Sequence, residues 1–298
     1  MTRADPLPFF ILGPTAVGKS DVAVALAECC RGEVVSADAF QIYAGLNILT
    51  AKPSKALRGR IPHHLIGEVP LTEPCNAGKY LALAEERISE IQSRGRRPIV
   101  VGGTGLYVRA LTHGLAQLPP ADPGLRAELE TQPLAALVHR LTELDAASAA
   151  TLDCANPRRV IRALEVCLAT GEPFSRFREQ WKRPRFPLHG VTLARPREEL
   201  CARINARTVA MFREGVIEEV RAVIAISDTA AQAIGFRKIR ALLIGDLSER
   251  ECVERIQRAT RHYAKRQLTW FRREPFARID LSSEMDAIAE MQRLAATS

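Results

Sequence analysis

Residues 13–20 read Gly-Pro-Thr-Ala-Val-Gly-Lys-Ser and fill every fixed position of the phosphate-binding loop pattern G-x-x-x-x-G-K-[ST]. The short apolar run Pro8–Leu12 precedes the loop, and a stretch rich in Ala, Val and Leu follows it as far as Gly32. A strand, a glycine loop and a helix in this order are the context in which the pattern binds phosphate groups. The sequence therefore predicts an α/β fold with a site for a diphosphate or triphosphate. The loop alone does not specify the reaction.

The residues of this loop have different tasks in holding a phosphate chain. Gly13 and Gly18 let backbone N–H groups surround an anion, and the start of the following helix adds partial positive charge. Lys19 brings a mobile positive charge to the terminal phosphate, and Ser20 supplies a hydroxyl for Mg²⁺. The predicted phosphate site consists of Gly13, Pro14, Thr15, Ala16, Val17, Gly18, Lys19 and Ser20, with Ser20 as the metal-contacting residue.

The composition is typical of a globular protein and leaves room for a polyanionic partner. The chain has 298 residues, 47% hydrophobic and 26% charged, and a formal net charge of +8. Such a charge favours a nucleic acid partner, although basic metabolic enzymes reach similar values. No apolar run is long enough to span a membrane, and we expect no signal peptide because prolines interrupt the first residues. The seven scattered cysteines lack a C-x-x-C pair and indicate reduced thiols in a cytoplasmic protein.

Two polar side chains follow predicted strands in the first third of the chain. Asp38 comes just after the strand at residues 33–36, and Thr104 comes after the strand at residues 97–101. Ligands of open α/β sheets bind beyond the carboxyl ends of the strands. We therefore expect Asp38 and Thr104 to lie beside the phosphate loop, which puts an ionisable carboxylate next to a bound phosphate.

A helical insertion is predicted between two parts of the sheet domain. The chain changes composition at the proline-rich residues 118–123, and strand patterns are absent from there to about residue 189. The predicted core therefore covers residues 1–120 and 190–298, and the insertion covers residues 121–189. Asn156-Pro157 begins a helix whose first turns carry Arg158, Arg159 and Arg162. The following segment, 174–186, mixes basic residues with aromatic ones that include Trp181, a pattern compatible with RNA.

The chain returns to sheet-type patterns after the insertion. A strand is predicted at residues 190–194, and helices at 196–213, at 216–226 and around Gly235. The last long helix opens with the capping box Ser248-Glu249-Arg250-Glu251 and has Ile256, Tyr263 and Trp270 at heptad spacing toward the core. A basic stripe runs along the same helix through Arg258, Arg261, Lys265 and Arg272. A basic stripe is commonly a solvated face, but two basic surfaces in one basic protein favour a nucleic acid partner.

Seven sequence blocks in a fixed order from residue 13 to residue 272 carry a resemblance to a known family. They are the loop at 13–20, Ser-Ala-Asp-Ala-Phe-Gln-Ile-Tyr at 36–43, Thr-Ala-Lys-Pro at 50–53, Val-Gly-Gly-Thr-Gly-Leu-Tyr at 101–107, Asn-Pro-Arg-Arg-Val-Ile-Arg-Ala-Leu-Glu-Val at 156–166, Gln-Ala-Ile-Gly-Phe-Arg at 232–237 and Lys-Arg-Gln-Leu-Thr-Trp-Phe-Arg at 265–272. The ordered set resembles the tRNA dimethylallyltransferases over nearly the whole chain. One departure is Ala39, where the family usually has serine.

The resemblance implies a fold, a reaction and a set of site residues. The implied fold is a P-loop NTPase-like parallel sheet flanked by helices with an inserted small all-α domain, in a monomer. The implied reaction moves a dimethylallyl group from its diphosphate to the exocyclic amine of the adenosine 3′-adjacent to the anticodon, tRNA position 37, with Mg²⁺ as cofactor. Asp38 is the implied general base, Thr104 lies near the base and the bridging oxygen, and Arg207 joins the diphosphate site. The implied tRNA contacts are Asp38, Ala39, Phe40, Gln41, Thr104, Arg126, Arg158, Arg159, Val160, Ile161, Arg162, Gln232 and Arg237.

The residues alone leave other classes of protein open. A small-molecule kinase would bind ATP at the same loop and use Asp38 as its Mg²⁺ ligand. A prenyltransferase acting on free AMP would share the loop but would have less use for a basic insertion. A nucleotide switch or RNA-binding protein without catalysis is a third alternative, against which the convergence of Asp38 and Thr104 on the loop counts.

Overall fold

The structure is a computed structural model that describes residues 6–116, 118–120, 122–178, 183–281 and 284–296. It divides into two compact units, one formed by residues 1–112 and 186–298 and the other by residues 113–185. The predicted insertion, 121–189, overlaps most of the second unit. Trp181, in the segment predicted to suit RNA, lies outside the described residues, as does Ala121 at the predicted boundary.

The first unit is built on a six-stranded parallel sheet, which confirms the predicted fold class. All strand pairs run parallel, and the spatial order is β3-β2-β4-β1-β5-β6. The strands are β1 (Phe9–Leu12), β2 (Gly32–Ala37), β3 (His63–His64), β4 (Arg97–Gly102), β5 (His189–Ala194) and β6 (Ala277–Asp280). The chain leaves β1 toward β2 on one side and reaches β5 on the other, so the switch point for ligand binding lies at the end of β1.

Helices connect the strands of this unit. Four of them precede the insertion: α1 (Lys19–Cys30), α2 (Lys55–Arg60), α3 (Ala77–Ser93) and α4 (Gly105–His113), which ends where the second unit begins. Five follow the insertion: α10 (Arg197–Arg213), α11 (Val216–Arg221), α12 (Phe236–Leu243), α13 (Glu249–Phe271) and α14 (Glu284–Ala296). The predicted capping box is confirmed at α13, where Ser248 and Glu251 bond each other's backbone N–H groups.

Both faces of the sheet are covered by apolar side chains. Phe9 and Ile11 of β1 pack into one cluster with residues of α1 and α10, whereas Phe10 and Leu12 pack into another with residues of α3 and α4. All four β1 side chains are fully buried. A central parallel strand covered on both faces needs such a continuous apolar run, so the short run before the glycine loop forms the centre of the sheet.

Helices are the regular elements of the second unit, and its described residues contain no strand. It contains α5 (Pro123–Glu130), α6 (Leu134–Leu144), α7 (Ala146–Thr151), α8 (Pro157–Thr170) and α9 (Phe174–Arg178). The predicted start of α8 is confirmed, because the Asn156 side chain accepts a hydrogen bond from Arg158 N–H and Pro157 occupies the first turn. Leu129, Leu137 and Leu164 lie in the small core of this unit.

Several elements differ from the sequence-based predictions. The helix predicted to reach residue 226 ends at Arg221, and β3, β6 and α14 were missed. β3 has two residues and β6 is a mostly exposed edge strand, so neither has the apolar run that marks a central strand. Trp270 is 37% exposed instead of buried, since its indole ring packs over the backbone of Gly105 at the surface. No helix in the described part of the chain combines the length and apolar character that crossing a bilayer requires.

Candidate active site

The glycine loop, residues 13–20, joins the carboxyl end of β1 to the start of α1. Gly18 has φ +107, a left-handed conformation that side chains rarely adopt, and no side chain caps the first turn of α1. The ammonium group of Lys19 folds back over the loop and donates to Gly13 O at 3.0 Å and to Pro14 O at 2.8 Å. The uncapped N–H groups at this helix start and the lysine together form a cradle for an anion.

The environment of Lys19 lowers the pKa of its ammonium group to about 8. Burial is the main cause, because it penalises the charged form, and the nearby Arg207 acts in the same direction. The Asp38 carboxylate opposes both effects. An anion placed in the loop would add negative charge beside Lys19 and favour its protonated form.

Asp38 lies one residue past the end of β2 and is held by backbone groups. Its Oδ1 accepts hydrogen bonds from Phe40 N–H at 2.9 Å and from Gln41 N–H at 3.2 Å. Oδ2 has no hydrogen-bond partner among the described residues. The carboxylate is therefore fixed through one oxygen and keeps the other available for a proton or a ligand.

Thr104 connects the end of β4 to the end of β2 through two hydrogen bonds. Its Oγ1 accepts a hydrogen bond from Ala39 N–H at 3.0 Å, and its own N–H donates to Ala37 O at 3.2 Å. The predicted neighbours Asp38 and Thr104 therefore meet at the same edge of the sheet. Ala39 contributes through its backbone here, so the absence of the family's serine does not disturb this contact.

Three arginines donate hydrogen bonds to the glycine loop. Arg207 donates to Thr15 Oγ1 at 2.6 Å, Arg203 to Ala16 O at 2.9 Å and Arg195 to Val17 O at 2.8 Å. Burial lowers the pKa of Arg207, and Asp38 partly offsets this effect. Arg207 and Arg203 are one turn apart on α10, which points both guanidinium groups at the loop.

Gln267 on α13 connects the glycine loop to the β4 edge. Its Oε1 accepts from Thr15 N–H at 2.8 Å, and its Nε2 donates to Gly103 O at 2.9 Å. A side chain at Gly103 would collide with this amide, so the close approach requires glycine. Tyr263, one turn earlier on α13, lies beside the side chains of Thr104 and Gln267, and burial raises the pKa of its phenol.

A cavity of about 380 Å³ opens between these groups. Its wall includes Lys19 and Arg207, the Ser20 hydroxyl, the Asp38 carboxylate and the Gln41 side chain. The Gln41 amide donates in turn to the carbonyl oxygens of residues 50 and 51, which line the same cavity. The cavity lining thus offers three cations for an anion, Lys19, Arg203 and Arg207, together with the anchored Asp38 carboxylate and that of Asp21.

A half-buried lysine and a glutamate hold the loop that carries residues 50 and 51. The Lys52 ammonium donates to Tyr43 O, to Gly45 O at 2.6 Å and to Asn47 Oδ1 at 3.0 Å. Glu219 accepts from the N–H groups of residues 48 and 49 at 2.9 Å each. Burial lowers the pKa of Lys52 to about 8. This loop is a fixed wall of the cavity.

The donor set at the glycine loop suits a magnesium ion held mainly by phosphate oxygens. The Ser20 hydroxyl lines the cavity, and Asp21 and Asp38 bring the nearest carboxylates. The described residues contain no group of three or more His, Cys, Asp or Glu side chains that could enclose a metal without help. Mg²⁺ characteristically keeps waters and substrate phosphates as ligands and needs only one or two protein groups, so the residues fit the ion.

A buried carboxylate organises two of the arginines in the second unit. Arg126 forms a two-pronged ion pair with Glu165 at 2.8 Å, and Arg162 binds the same carboxylate at 3.2 Å. Arg162 also donates to Pro119 O at 2.8 Å. The Glu165 side chain is 3% exposed, whereas Arg126 keeps 41% of its side chain exposed. Both arginines therefore have a structural role and still present a charged edge at the surface.

Val160 and Ile161, which are predicted to contact tRNA, are buried in this structure. They are 0% and 5% exposed and pack in the core of the second unit, so their contact with tRNA stays a prediction. Arg158 and Arg159 are exposed on the same helix, and Arg159 pairs with Asp153 at 3.7 Å. Within the described residues Arg158 has no ion pair.

The other predicted site residues lie in the first unit. Arg237 is exposed on α12. Gln232 is half-buried, and its amide donates to Asp228 O at 3.2 Å. Phe40 is half-buried beside Asp38 and packs against the apolar cluster that contains residues 46 and 49.

Sequence reasoning missed four residues that shape the cavity, namely Arg203, Gln267, Lys52 and Glu219. Arg203 has a readable signal, because it precedes Arg207 by one helical turn. Gln267 and Lys52 lie within blocks that carry the family resemblance, but a motif does not reveal that their partners are backbone atoms. Glu219 has no local signal, since its partners lie about 170 residues earlier in the chain.

Fold and site together define an α/β protein with an anion cradle and an opposed carboxylate at the switch point of a parallel sheet. A family model described as IPP transferase matches residues 41–274, and one described as Isopentenyl transferase matches residues 8–61. The chain is 45% identical to the tRNA dimethylallyltransferase of Geobacter sulfurreducens, covering 94% of this chain and 93% of that protein. It is 43% identical to the enzyme of the same name from Akkermansia muciniphila, with 91% and 92% covered.

Solved structures give the same result. A full-length tRNA isopentenylpyrophosphate transferase from Bacillus halodurans superposes with a TM-score of 0.73 at 36% identity, covering 98% of this chain and 96% of that one. A eukaryotic dimethylallyltransferase described as acting on tRNA superposes with a TM-score of 0.82 at 27% identity, with 98% and 78% covered. The chain belongs to the tRNA dimethylallyltransferase family, also called the IPP transferases.

Proposed function

We propose that this protein transfers the dimethylallyl group of dimethylallyl diphosphate to the exocyclic amine of the adenosine 3′-adjacent to the anticodon, tRNA position 37, and releases diphosphate. The observation that carries the proposal is the cavity in which the Lys19 and Arg207 cations face the anchored Asp38 carboxylate. Membership of a family whose relatives are named for this reaction supports it.

The cation side of the cavity suits a diphosphate leaving group. Negative charge grows on the diphosphate as the bond from the allyl carbon to oxygen breaks. Lys19, Arg207 and the N–H groups of the glycine loop stabilise that charge because they are in place before the reaction. Mg²⁺ beside the Ser20 hydroxyl would add further positive charge to the diphosphate oxygens.

The carboxylate side of the cavity suits the amine. The adenosine nitrogen forms a bond to the allyl carbon with its electron pair while the electrons of the breaking bond leave with the diphosphate. The nitrogen must then lose a proton, and Asp38 Oδ2 is the available acceptor. Thr104 keeps Asp38 in place through the Ala39 backbone. The adenosine has to leave its stack to reach the cavity.

We assign recognition of the anticodon stem to the helical insertion and propose a monomer in the cytoplasm. Arg158 and the exposed edges of Arg126 and Arg162 offer positive charge to RNA phosphates. All seven cysteines are free thiols, which supports a reducing compartment. Light scattering of the purified protein measures its molar mass, and we expect the 32.9 kDa of a single chain.

A transfer assay tests the proposal against the closest alternative. Labelled dimethylallyl diphosphate is incubated with the protein, Mg²⁺ and either tRNA or AMP, and the label in each acceptor is counted. We expect label in tRNA alone. Label in AMP without label in tRNA would assign the protein to the prenylation of free nucleotides.

Donor binding is expected to weaken as pH rises through about 8. Lys19 without donor has a pKa of about 8, and a bound diphosphate stabilises its protonated form. Above pH 8 the free protein has lost this proton, so binding must take one up and the donor Kd rises about tenfold per pH unit. Calorimetry of donor binding between pH 7 and 9.5 measures the effect. A Lys19→Ala variant with the same pH dependence would contradict the assignment to Lys19.

Substitutions in the insertion are expected to separate RNA binding from stability. Arg158→Ala removes an exposed cation, so tRNA affinity falls and the salt slope of binding decreases by about one, while the free energy of unfolding is unchanged. Arg126→Ala leaves the buried Glu165 with fewer donors and lowers the free energy of unfolding by about 1–3 kcal/mol. Filter binding across a salt series and urea unfolding measure the two effects. Unchanged tRNA binding in Arg158→Ala would make that arginine a solvated surface residue.

A further inference from the structure

The loop at residues 45–52 forms part of the reaction cavity through residues 50 and 51, and its backbone is strained. We call this segment the wall loop. Leu46 has φ +46° and Ala51 has φ +49°, left-handed conformations that side chains rarely adopt. Such conformations persist only where neighbouring groups hold them, and they concentrate at functional sites. A group that holds the wall loop therefore controls the shape of the cavity.

Glu219 on α11 caps the wall loop with both oxygens of its carboxylate. Oε1 accepts a hydrogen bond from Ile48 N–H and Oε2 accepts one from Leu49 N–H, each at 2.9 Å. These two N–H groups have no other acceptor among the described residues. Two residues later, Thr50 N–H donates to Leu46 O at 3.1 Å, as in one turn of a helix. Glu219 thus satisfies the N–H groups that the first turn of a helix leaves without partners.

Apolar packing holds α11 against the wall loop. Leu46 and Leu49 are buried in the same cluster as Val216 and Val220 of α11. The two valines lie three residues before Glu219 and one residue after it, so the carboxylate reaches the loop from a helix that is itself packed. The contact is therefore built into the fold and does not depend on a mobile surface side chain.

The capped segment leads to the two carbonyl oxygens that hold the Gln41 side chain. Gln41 Nε2 donates to Thr50 O at 3.3 Å and to Ala51 O at 3.1 Å. The N–H group of Gln41 donates to Asp38 Oδ1 at 3.2 Å, so the same residue contacts the wall loop and the carboxylate. Gln41 Oε1 receives no hydrogen bond from the described residues, and its side chain lines the cavity. This oxygen is available to the nucleotide that presents its amine to Asp38.

We propose that Glu219 is a positioning residue for the acceptor nucleotide. By capping the wall loop it fixes the carbonyl groups of residues 50 and 51 and, through them, the amide of Gln41. The inference rests on the proposed function, since it takes an adenosine amine as the acceptor. Glu219 lies outside the lining of the cavity and acts through its neighbours. The glycine loop, which forms the proposed diphosphate site, is not part of this chain of contacts.

Glu219→Gln tests the proposal against a matched control. The amide that replaces the carboxylate has one oxygen and one nitrogen, so one of the two N–H groups loses its acceptor and faces a donor. The control is Glu218→Gln, which removes the same charge from the preceding residue, an exposed glutamate paired with Arg221 at 3.4 Å. Calorimetry gives the donor Kd, and its stoichiometry counts the folded enzyme. Turnover is then measured per folded enzyme at saturating tRNA and donor.

Glu219→Gln is expected to lower turnover about 10–100-fold, because loss of a positioning contact misaligns the reacting atoms. The donor Kd should stay that of the wild type, and Glu218→Gln should match the wild type in both measurements. Unchanged turnover per folded enzyme would leave Glu219 a role in stability alone and would overturn the proposal. A donor Kd raised as strongly as turnover is lowered, or an equal loss in Glu218→Gln, would overturn it as well.

A double-mutant cycle with Gln41→Ala tests the route by which Glu219 acts. If Glu219 acts through Gln41, Glu219→Gln causes little further loss of turnover in the Gln41→Ala protein. Losses that multiply would show that the two residues act independently and would contradict the proposed route. Glu219→Asp keeps the charge but withdraws it by one methylene group, and it replaces Glu219→Gln in the cycle if that variant does not fold.

The wild type distinguishes failure of this inference from failure of the proposed function. A wild-type protein that transfers no dimethylallyl group to tRNA contradicts the proposed function. An active wild type, with turnover that Glu219→Gln leaves unchanged or lowers independently of Gln41, contradicts the positioning role alone.

Discussion

Asp38→Asn is expected to slow prenyl transfer by about 10²–10⁴ while tRNA and donor affinities stay near those of the wild type. Asparagine keeps an oxygen that can accept the two hydrogen bonds from Phe40 and Gln41 N–H, so the loop geometry is retained. The amide cannot take the proton from the amine. Single-turnover rates at saturating tRNA and donor measure the loss.

Two controls accompany the Asp38→Asn measurement. Asp246→Asn removes the same charge from an exposed position outside the cavity and should leave the rate unchanged. Excess Mg²⁺ should not rescue Asp38→Asn. Rescue by the metal would make Asp38 a magnesium ligand, as the kinase alternative requires, and would contradict its assignment as the base.

Lys19→Ala is expected to give the second large effect, a loss of about 10²–10³ in turnover together with a higher KM for the donor. The ammonium meets charge that the diphosphate already has, which affects binding, and charge that grows as the bond breaks, which affects the rate. Steady-state kinetics with varied dimethylallyl diphosphate at saturating tRNA separates the two parameters.

The control for Lys19 is Lys55→Ala, an exposed lysine at the start of α2 that does not line the cavity. Its kinetics should match the wild type. A Lys19→Ala enzyme with a raised KM and full turnover would mean that the lysine binds substrate and transition state equally, and the proposed role in the bond-breaking step would be wrong.

The sequence was sufficient to predict the centre of the fold and much of the candidate site. The apolar run before Gly13 and the glycine loop define β1 and α1, and parallel-sheet topology then brings Asp38 and Thr104 to the loop. The edge strands β3 and β6 could not be predicted from the sequence, because they lack the apolar pattern of a buried strand. The prediction that Trp270 is buried was wrong. Its heptad position suggested burial, whereas the indole ring packs over Gly105 at the surface.

Contacts between side chains and distant backbone atoms were out of reach of sequence reasoning. Gln267 meets Thr15 across about 250 residues of chain, and Glu219 meets the loop at 48–49 across about 170. Neither contact produces a recognisable residue spacing in the sequence. Val160 and Ile161 lie in a motif with exposed arginines, but helical periodicity places their side chains in the core of the second unit.

The most direct test of the central claim measures diphosphate, ADP and modified tRNA in one reaction with tRNA, dimethylallyl diphosphate, ATP and Mg²⁺. Mass spectrometry of digested tRNA identifies the modified nucleoside and its position. A tRNA prenyltransferase releases one diphosphate per dimethylallyl-adenosine at position 37 and leaves ATP unchanged. Stoichiometric ADP with no prenylated RNA would contradict the transferase assignment and identify a kinase.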